Sequence, residues 1–183
     1  MIKDYLKKML GGEKSPSRIP HHKIGWSWLG AFVGIYIVST MHYWLQIDIL
    51  NSLFLVGSFG ATAALIYGAP QSELSQPRNL VGGHIISAFI GISVYKYIPL
   101  NVELLSALAV SLSIVAMHYS RTLHPPGGAT ALIAVIGSNS IHELGYFYMV
   151  LPIGVGALIM LVIALLINNI SSNPKRHYPR YWL

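Results

Sequence analysis

Between Trp26 and Ile167 the chain consists of apolar segments separated by short polar joints. Every charge in that interval falls in a joint or at a segment end: Asp48, Glu73, Arg78, Lys96, Glu103, Arg121 and Glu143. A chain in hydrocarbon must satisfy its backbone internally, which leaves helices and closed barrels. Segment lengths predict an all-α membrane protein, not one soluble core. Only 10% of residues are charged, against roughly 25% in typical soluble domains, and mean hydropathy is +0.56. Cysteine is absent, which excludes disulfides, thiolate metal sites and cysteine nucleophiles. The charged residues from Met1 to Lys14 lack a small-residue cleavage site after an apolar core, so no cleavable signal is expected.

The spacing predicts six transmembrane segments: Trp26–Trp44, Ile49–Gly68, Leu80–Tyr97, Val102–Tyr119, Pro125–Ser138 and Tyr146–Ile167. Residues 1–25 read as an amphipathic segment (Met1 to Leu10) and a linker lying against membrane lipids. Residues 26–168 form the transmembrane domain, and 169–183 form a basic cytoplasmic tail with Lys175, Arg176 and Arg180. Six crossings with both termini cytoplasmic leave Lys96 as the only basic residue outside, among 12, as the positive-inside rule requires. Re-entrant second and fifth segments would turn Arg78 and Arg121 outward, so six crossings are preferred. This describes a multi-pass protein of a cell inner membrane.

An internal repeat runs through the pattern. Met41-His42-Tyr43 closes the first segment and Met117-His118-Tyr119 the fourth; Gly60-Ala61-Thr62-Ala63 lies in the second and Gly128-Ala129-Thr130-Ala131 in the fifth. Two matches in the same order point to a three-plus-three duplication, repeat one at 26–97 and repeat two at 102–168. Three is odd, so the halves enter from opposite sides, an inverted-topology repeat of the kind secondary transporters use. The second and fifth segments read as short or broken, at Gly57-Ser58-Phe59-Gly60 and Pro125-Pro126-Gly127-Gly128.

Prolines at a helix start fix φ, and glycines behind them leave backbone amides uncovered. Each helix N-terminus carries roughly half a positive charge, so two opposed N-termini suit one monovalent anion at the midplane. The candidate anion-binding residues are Ser58, Phe59, Gly60, Ala61 and Thr62 with Gly127, Gly128, Ala129 and Thr130. Thr62 and Thr130 supply hydroxyls and His124 a ring nitrogen, while Arg121 stands close enough to draw anions to a cytoplasmic mouth. No segment holds a mid-span lysine or arginine, and a site built from dipoles can release its ion.

Other function classes have less behind them. There is no buried carboxylate to relay protons, so any proton coupling falls to a histidine. His42, His84, His118 and His124 fall near segment ends on both sides without carboxylate neighbours, so no metal or other cofactor is expected. Aromatic–basic interleaving is lacking, which speaks against nucleic acid, and no ATP-binding loop or catalytic triad points to an enzyme. A non-transporting scaffold or subunit, packing through Gly30, Gly34 and Gly91, is the main alternative; a histidine–metal membrane enzyme is the lesser one. The same small-residue faces make a homo-oligomer an expectation.

The stretch His124-Pro125-Pro126-Gly127-Gly128-Ala129-Thr130-Ala131-Leu132 resembles the signature of the HPP family of integral membrane proteins, named for its His-Pro-Pro motif. Gly57 to Ala63 and Gln76-Pro77-Arg78-Asn79-Leu80-Val81-Gly82-Gly83-His84 also resemble that family's pattern. Members from cyanobacteria and chloroplasts are associated with nitrite transport, so the resemblance implies nitrite, a monovalent anion. With it, His124, Pro125, Pro126, Arg121, Arg78, Asn79 and His84 become the motif, gating or anion-attracting set. The family is usually described with four spanning helices; short or broken second and fifth segments reconcile four with six.

Overall fold

The computed structural model describes residues 2–9, 14–45, 49–171 and 176–183. Met1, Leu10, the linker residues Gly11 to Glu13, Asp48 and Lys175 lie outside them, as does the side chain of His42. Among the described residues every regular element is helical. The α-helices are α1 (Ile2–Lys8), α2 (His21–Ser39), α3 (Met41–Leu45), α4 (Ile49–Ala63), α5 (Pro77–Tyr97), α6 (Val102–Tyr119), α7 (Pro125–Ile136), α8 (Asn139–Leu144) and α9 (Val155–Ile170).

Three described stretches are long and apolar enough to cross a membrane: α5, α6 and the kinked run Asn139–Ile170. The apolar part of α2 (Lys23–Ser39) and all of α7 are shorter. At ~1.5 Å per residue, the 12 residues of α7 span about 18 Å, well under a ~30 Å hydrocarbon core. Among the described residues it is nonetheless the most enclosed helix, walled by α4, α5 and α6.

Local chemistry sets the boundaries. Pro77 opens α5, and Pro125 with Pro126 opens α7, where a missing N–H leaves no intrahelical bond unmade. The Asn101 side chain accepts from Leu104 N at 3.0 Å and caps α6. The end of α6 is a Schellman turn, with Thr122 N on Met117 O at 2.9 Å and Arg121 N on His118 O at 3.1 Å. Its left-handed position, ordinarily glycine, holds Arg121 at φ 56°.

Small residues decide how closely helices approach. A Cβ on Gly91 would lie 2.6 Å from Ala131 O, and one on Gly127 would lie 2.9 Å from Gly83 O. The Gly83, Ser87 and Gly91 face of α5 is thus used up against α7. Gly30 and Gly34 of α2 likewise lie flat on the Tyr67 ring. Apolar side chains face outward in rows: Leu158, Val162, Leu166 and Ile170 along α9, and Trp28, Phe32 and Tyr36 along α2. Such broad exposed apolar rows suit lipid.

Two expectations are corrected. The second segment covers the expected Ile49–Gly68, but Gly57 to Gly60 lies within continuous α4 and is not a helix start. The irregularity comes later, in a π-helical turn at Ala64–Gly68. The first segment also begins earlier, at His21, and α2 stops at Ser39, so Met41-His42-Tyr43 belongs to a separate short helix. The described part of the tail, 176–183, packs onto the helices. Tyr178 is buried with its hydroxyl on Ser75 O at 2.8 Å, and Arg180 N meets Gln76 Oε1 at 2.8 Å.

Candidate functional site

Five polar side chains from α4, α5 and the start of α7 meet in the protein interior. Ser58, Thr62, His84, His124 and Thr130 are each no more than 1% exposed. Ser58 Oγ lies 2.8 Å from Thr130 Oγ1, which lies 2.7 Å from His84 Nδ1. On the other side of that ring, His84 Nε2 is 2.8 Å from Thr62 Oγ1, which is 3.1 Å from His124 Nε2. His124 Nδ1 ends the chain 2.8 Å from Leu74 O. Phe59 covers the His84 ring at 5.1 Å, and the two imidazoles meet edge to face at 5.0 Å. Burial without pairing would cost these groups dearly, and here each pairs with another.

The proton positions follow from one end. A carbonyl only accepts, so His124 Nδ1 donates to Leu74 O, and a neutral His124 ring then accepts at Nε2. Thr62 donates to it and accepts from His84 Nε2–H. That leaves His84 Nδ1 to accept from Thr130, which in turn accepts from Ser58. The result is a directed wire, Ser58 to Thr130 to His84 to Thr62 to His124, satisfied with both rings neutral. Ser58 Oγ has a second acceptor, Pro126 O at 3.1 Å. If Thr130 instead donates to Ser58 Oγ and Ser58 to Pro126 O, Thr130 Oγ1 becomes an acceptor for an N–H at His84 Nδ1.

The structure gathers Ser58, Phe59, Thr62 and Thr130 from the expected anion-binding set, and makes His84 and His124 central. It does not gather the rest. Gly60 and Ala61 face outward from α4, with nothing within 4 Å of a Cβ at Gly60. Gly128 and Ala129 line an apolar groove of ≈ 500 Å³ between α6 and α7. Gly127 is packed against Ser87 Oγ and Gly83 O.

The expected pair of opposed N-termini is reduced to one, because among the described helices only α7 starts near the cluster. Even there the free amides are few. Pro125 and Pro126 have no N–H, and Gly127 N bonds back to His124 O at 2.8 Å. Side-chain donors, not backbone amides, are what this site offers. His84 carried no local signal beyond its place in the Gly82-Gly83-His84 run; its role comes from helix packing that places its two nitrogens between Thr62 and Thr130.

Beyond His124 lies a polar depression of ≈ 240 Å³, lined in part by Arg78, Asn79, His118, Arg121, Leu123 and Glu73. Leu74, whose carbonyl ends the wire, lines it too. Asn79 Nδ2 donates to Leu123 O at 2.9 Å, while Asn79 Oδ1 and Arg78 Nε are buried without a partner. Arg78, Asn79 and Arg121, of the motif and anion-attracting set, thus line one depression. Among the described residues, no group of three or more His, Cys, Asp or Glu side chains comes together.

Comparison with known proteins agrees with the sequence pattern. Two transmembrane proteins of Dictyostelium discoideum are similar: one is 48% identical over 182 residues, covering 97% of this chain and 57% of its own, and the other is 46% identical over 187 residues, covering 99% and 64%. The chain thus spans about three-fifths of the length of these relatives. No solved structure matches. The pattern of the HPP transmembrane region matches residues 16–179, and with the His124-Pro125-Pro126 turn at the head of its most enclosed helix the chain belongs to the HPP transmembrane family.

Proposed function

We propose that this membrane protein transports a small monovalent anion, nitrite, past the Ser58–Thr130–His84–Thr62–His124 wire. The observation that carries the reading is a buried polar cluster without a formal charge, placed where α4, α5 and the start of α7 meet. An anion there can accept hydrogen bonds from hydroxyls and imidazole N–H groups in place of water, and no fixed cation holds it back. Arg78 and Arg121, at the outer depression, raise the local anion concentration. The wire is closed on itself, so passage requires it to open. The second-proton position on His84 gives a route for a proton to travel with the anion.

In this reading the chain crosses a cell inner membrane six times as two inverted halves, with both termini and the Arg78–Arg121 depression cytoplasmic. Support comes from Thr62 and Thr130, matching positions of the two Gly-Ala-Thr-Ala runs, which hold the two nitrogens of one ring. Self-association completes the proposal, and Gly57 and Gly60, each with open space at Cβ, offer a face for it. Gly30, Gly34 and Gly91 are filled from within the chain, so the glycine faces proposed for the scaffold alternative are not free for a partner.

The test is nitrite entry into liposomes holding the purified protein, driven by an imposed gradient. Saturable uptake is expected, falling about tenfold for each hydrogen bond removed from the path, as in Thr62→Val. Uptake no faster than in empty liposomes would remove the transport reading.

A further inference from the structure

Arg176 is a cation carried deep into the protein with neutral partners. It is 4% exposed, and its guanidinium reaches Lys23 O at 3.2 Å, Tyr67 O at 3.1 Å and Asn168 Oδ1 at 3.0 Å, with Ser27 Oγ at 3.4 Å. Its Nε has no partner. Burial in this setting disfavours the charged form and lowers its pKa from the ordinary arginine value. A buried cation ordinarily has an anion beside it.

Next to it opens a pocket of ≈ 400 Å³ where the start of α2, the end of the π turn and the tail come together. Its lining includes Arg18 and Lys23 as well as Arg176, together with Ser17, Ser27 and Ser72, and no acidic residue among those described. The 19-residue helix α2 starts at the same place, with no side chain capping its first turn. A helix N-terminus, three cations and hydroxyl donors all suit a tetrahedral oxyanion.

We propose that this pocket binds a phosphate group, held by Arg18 and Lys23 beside the buried positive charge of Arg176. It is distinct from the wire at His84, and its occupancy is independent of transport. Two sources share this chemistry: the headgroup of an anionic phospholipid and free inorganic phosphate. A basic pocket at helix ends, beside the lipid-facing rows of α2 and α9, suits the first.

The full-length protein in detergent would be examined by native mass spectrometry with phosphatidylglycerol and with phosphatidylcholine, and by thermal unfolding with inorganic phosphate. The variant is Arg18→Ala with Lys23→Ala, which leaves Arg176 and the Lys23 backbone carbonyl in place. Tighter binding of phosphatidylglycerol than phosphatidylcholine, weakened about thirtyfold in the double variant, is expected for a lipid headgroup. Stabilisation by millimolar phosphate that vanishes in the same variant, without lipid selectivity, assigns the site to the free ion. Equal affinities for the two lipids with no phosphate effect, or binding that the double variant leaves unchanged, would overturn the proposal.

Discussion

Thr62 and Thr130 hold opposite nitrogens of the His84 imidazole, at 2.8 Å from Nε2 and 2.7 Å from Nδ1. One stands in each Gly-Ala-Thr-Ala run. Because each hydroxyl has one proton, fixing the donor at Leu74 O fixes the direction of every bond in the wire while both rings are neutral.

Thr130→Val keeps the shape but removes the donor to His84 and the partner of Ser58. Leaving such groups buried and unpaired costs about 1–3 kcal/mol, read as a lower unfolding temperature in detergent. Thr130→Ser restores most of it. Ser58→Ala combined with Thr130→Val should cost less than the sum of the two, because they share one bond.

Glycines in α4 and α5 are expected to respond in opposite directions. A Cβ at Gly83 would sit 2.8 Å from Thr122 O and 2.5 Å from His124 Cβ, so Gly83→Ala should destabilise by about 1–3 kcal/mol. At Gly60 the Cβ meets nothing within 4 Å, and Gly60→Ala should stabilise α4 by about 0.5–1 kcal/mol. Equilibrium unfolding of both variants checks the pair. If Gly60→Ala abolished nitrite uptake while stabilising the protein, Gly60 would return to the anion path.

Arg121→Gly separates stability from anion attraction. The left-handed backbone at φ 56° costs a non-glycine residue about 1–2 kcal/mol, so the substitution should raise the unfolding temperature. The same change removes a cation from the outer depression. Nitrite uptake should then need a higher concentration to saturate, and the difference should shrink as salt is added.

Arg176→Met withdraws the hydrogen bonds to Tyr67 O and Asn168 Oδ1 while roughly keeping the side chain's length. Hydrogen bonds from a charged group are worth about 1.5–3 kcal/mol, so the tail should loosen from the π turn. Faster amide exchange at Tyr178 and Arg180, with exchange in α6 unchanged, is the expected pattern.

Much of this was legible in the residues, for reasons that are local. The start of α7 follows from Pro125-Pro126, which leave no other good place for a helix to begin, and α6 matches the predicted Val102–Tyr119 at both ends. The packing of Gly83, Ser87 and Gly91 follows from their spacing of four. Gly57 to Gly60 misled because glycine only permits a break: α4 continues through it, since Ser58 and Phe59 are both engaged in the interior. The burial of Arg176 was not legible at all, because only tertiary structure supplies the carbonyls around it.

The chain by itself determined that this is a helical membrane protein of the HPP family, because hydrocarbon allows few ways to satisfy a backbone and the His-Pro-Pro turn allows few ways to start a helix. It also named the two threonines. Tertiary structure alone decided that they meet at one imidazole. Helix packing sets which side chains face inward together, and no spacing along α4, α5 or α7 encodes the rotation of one helix against another. That rotation turned an expected pair of bare helix ends into a wire of side-chain donors centred on His84.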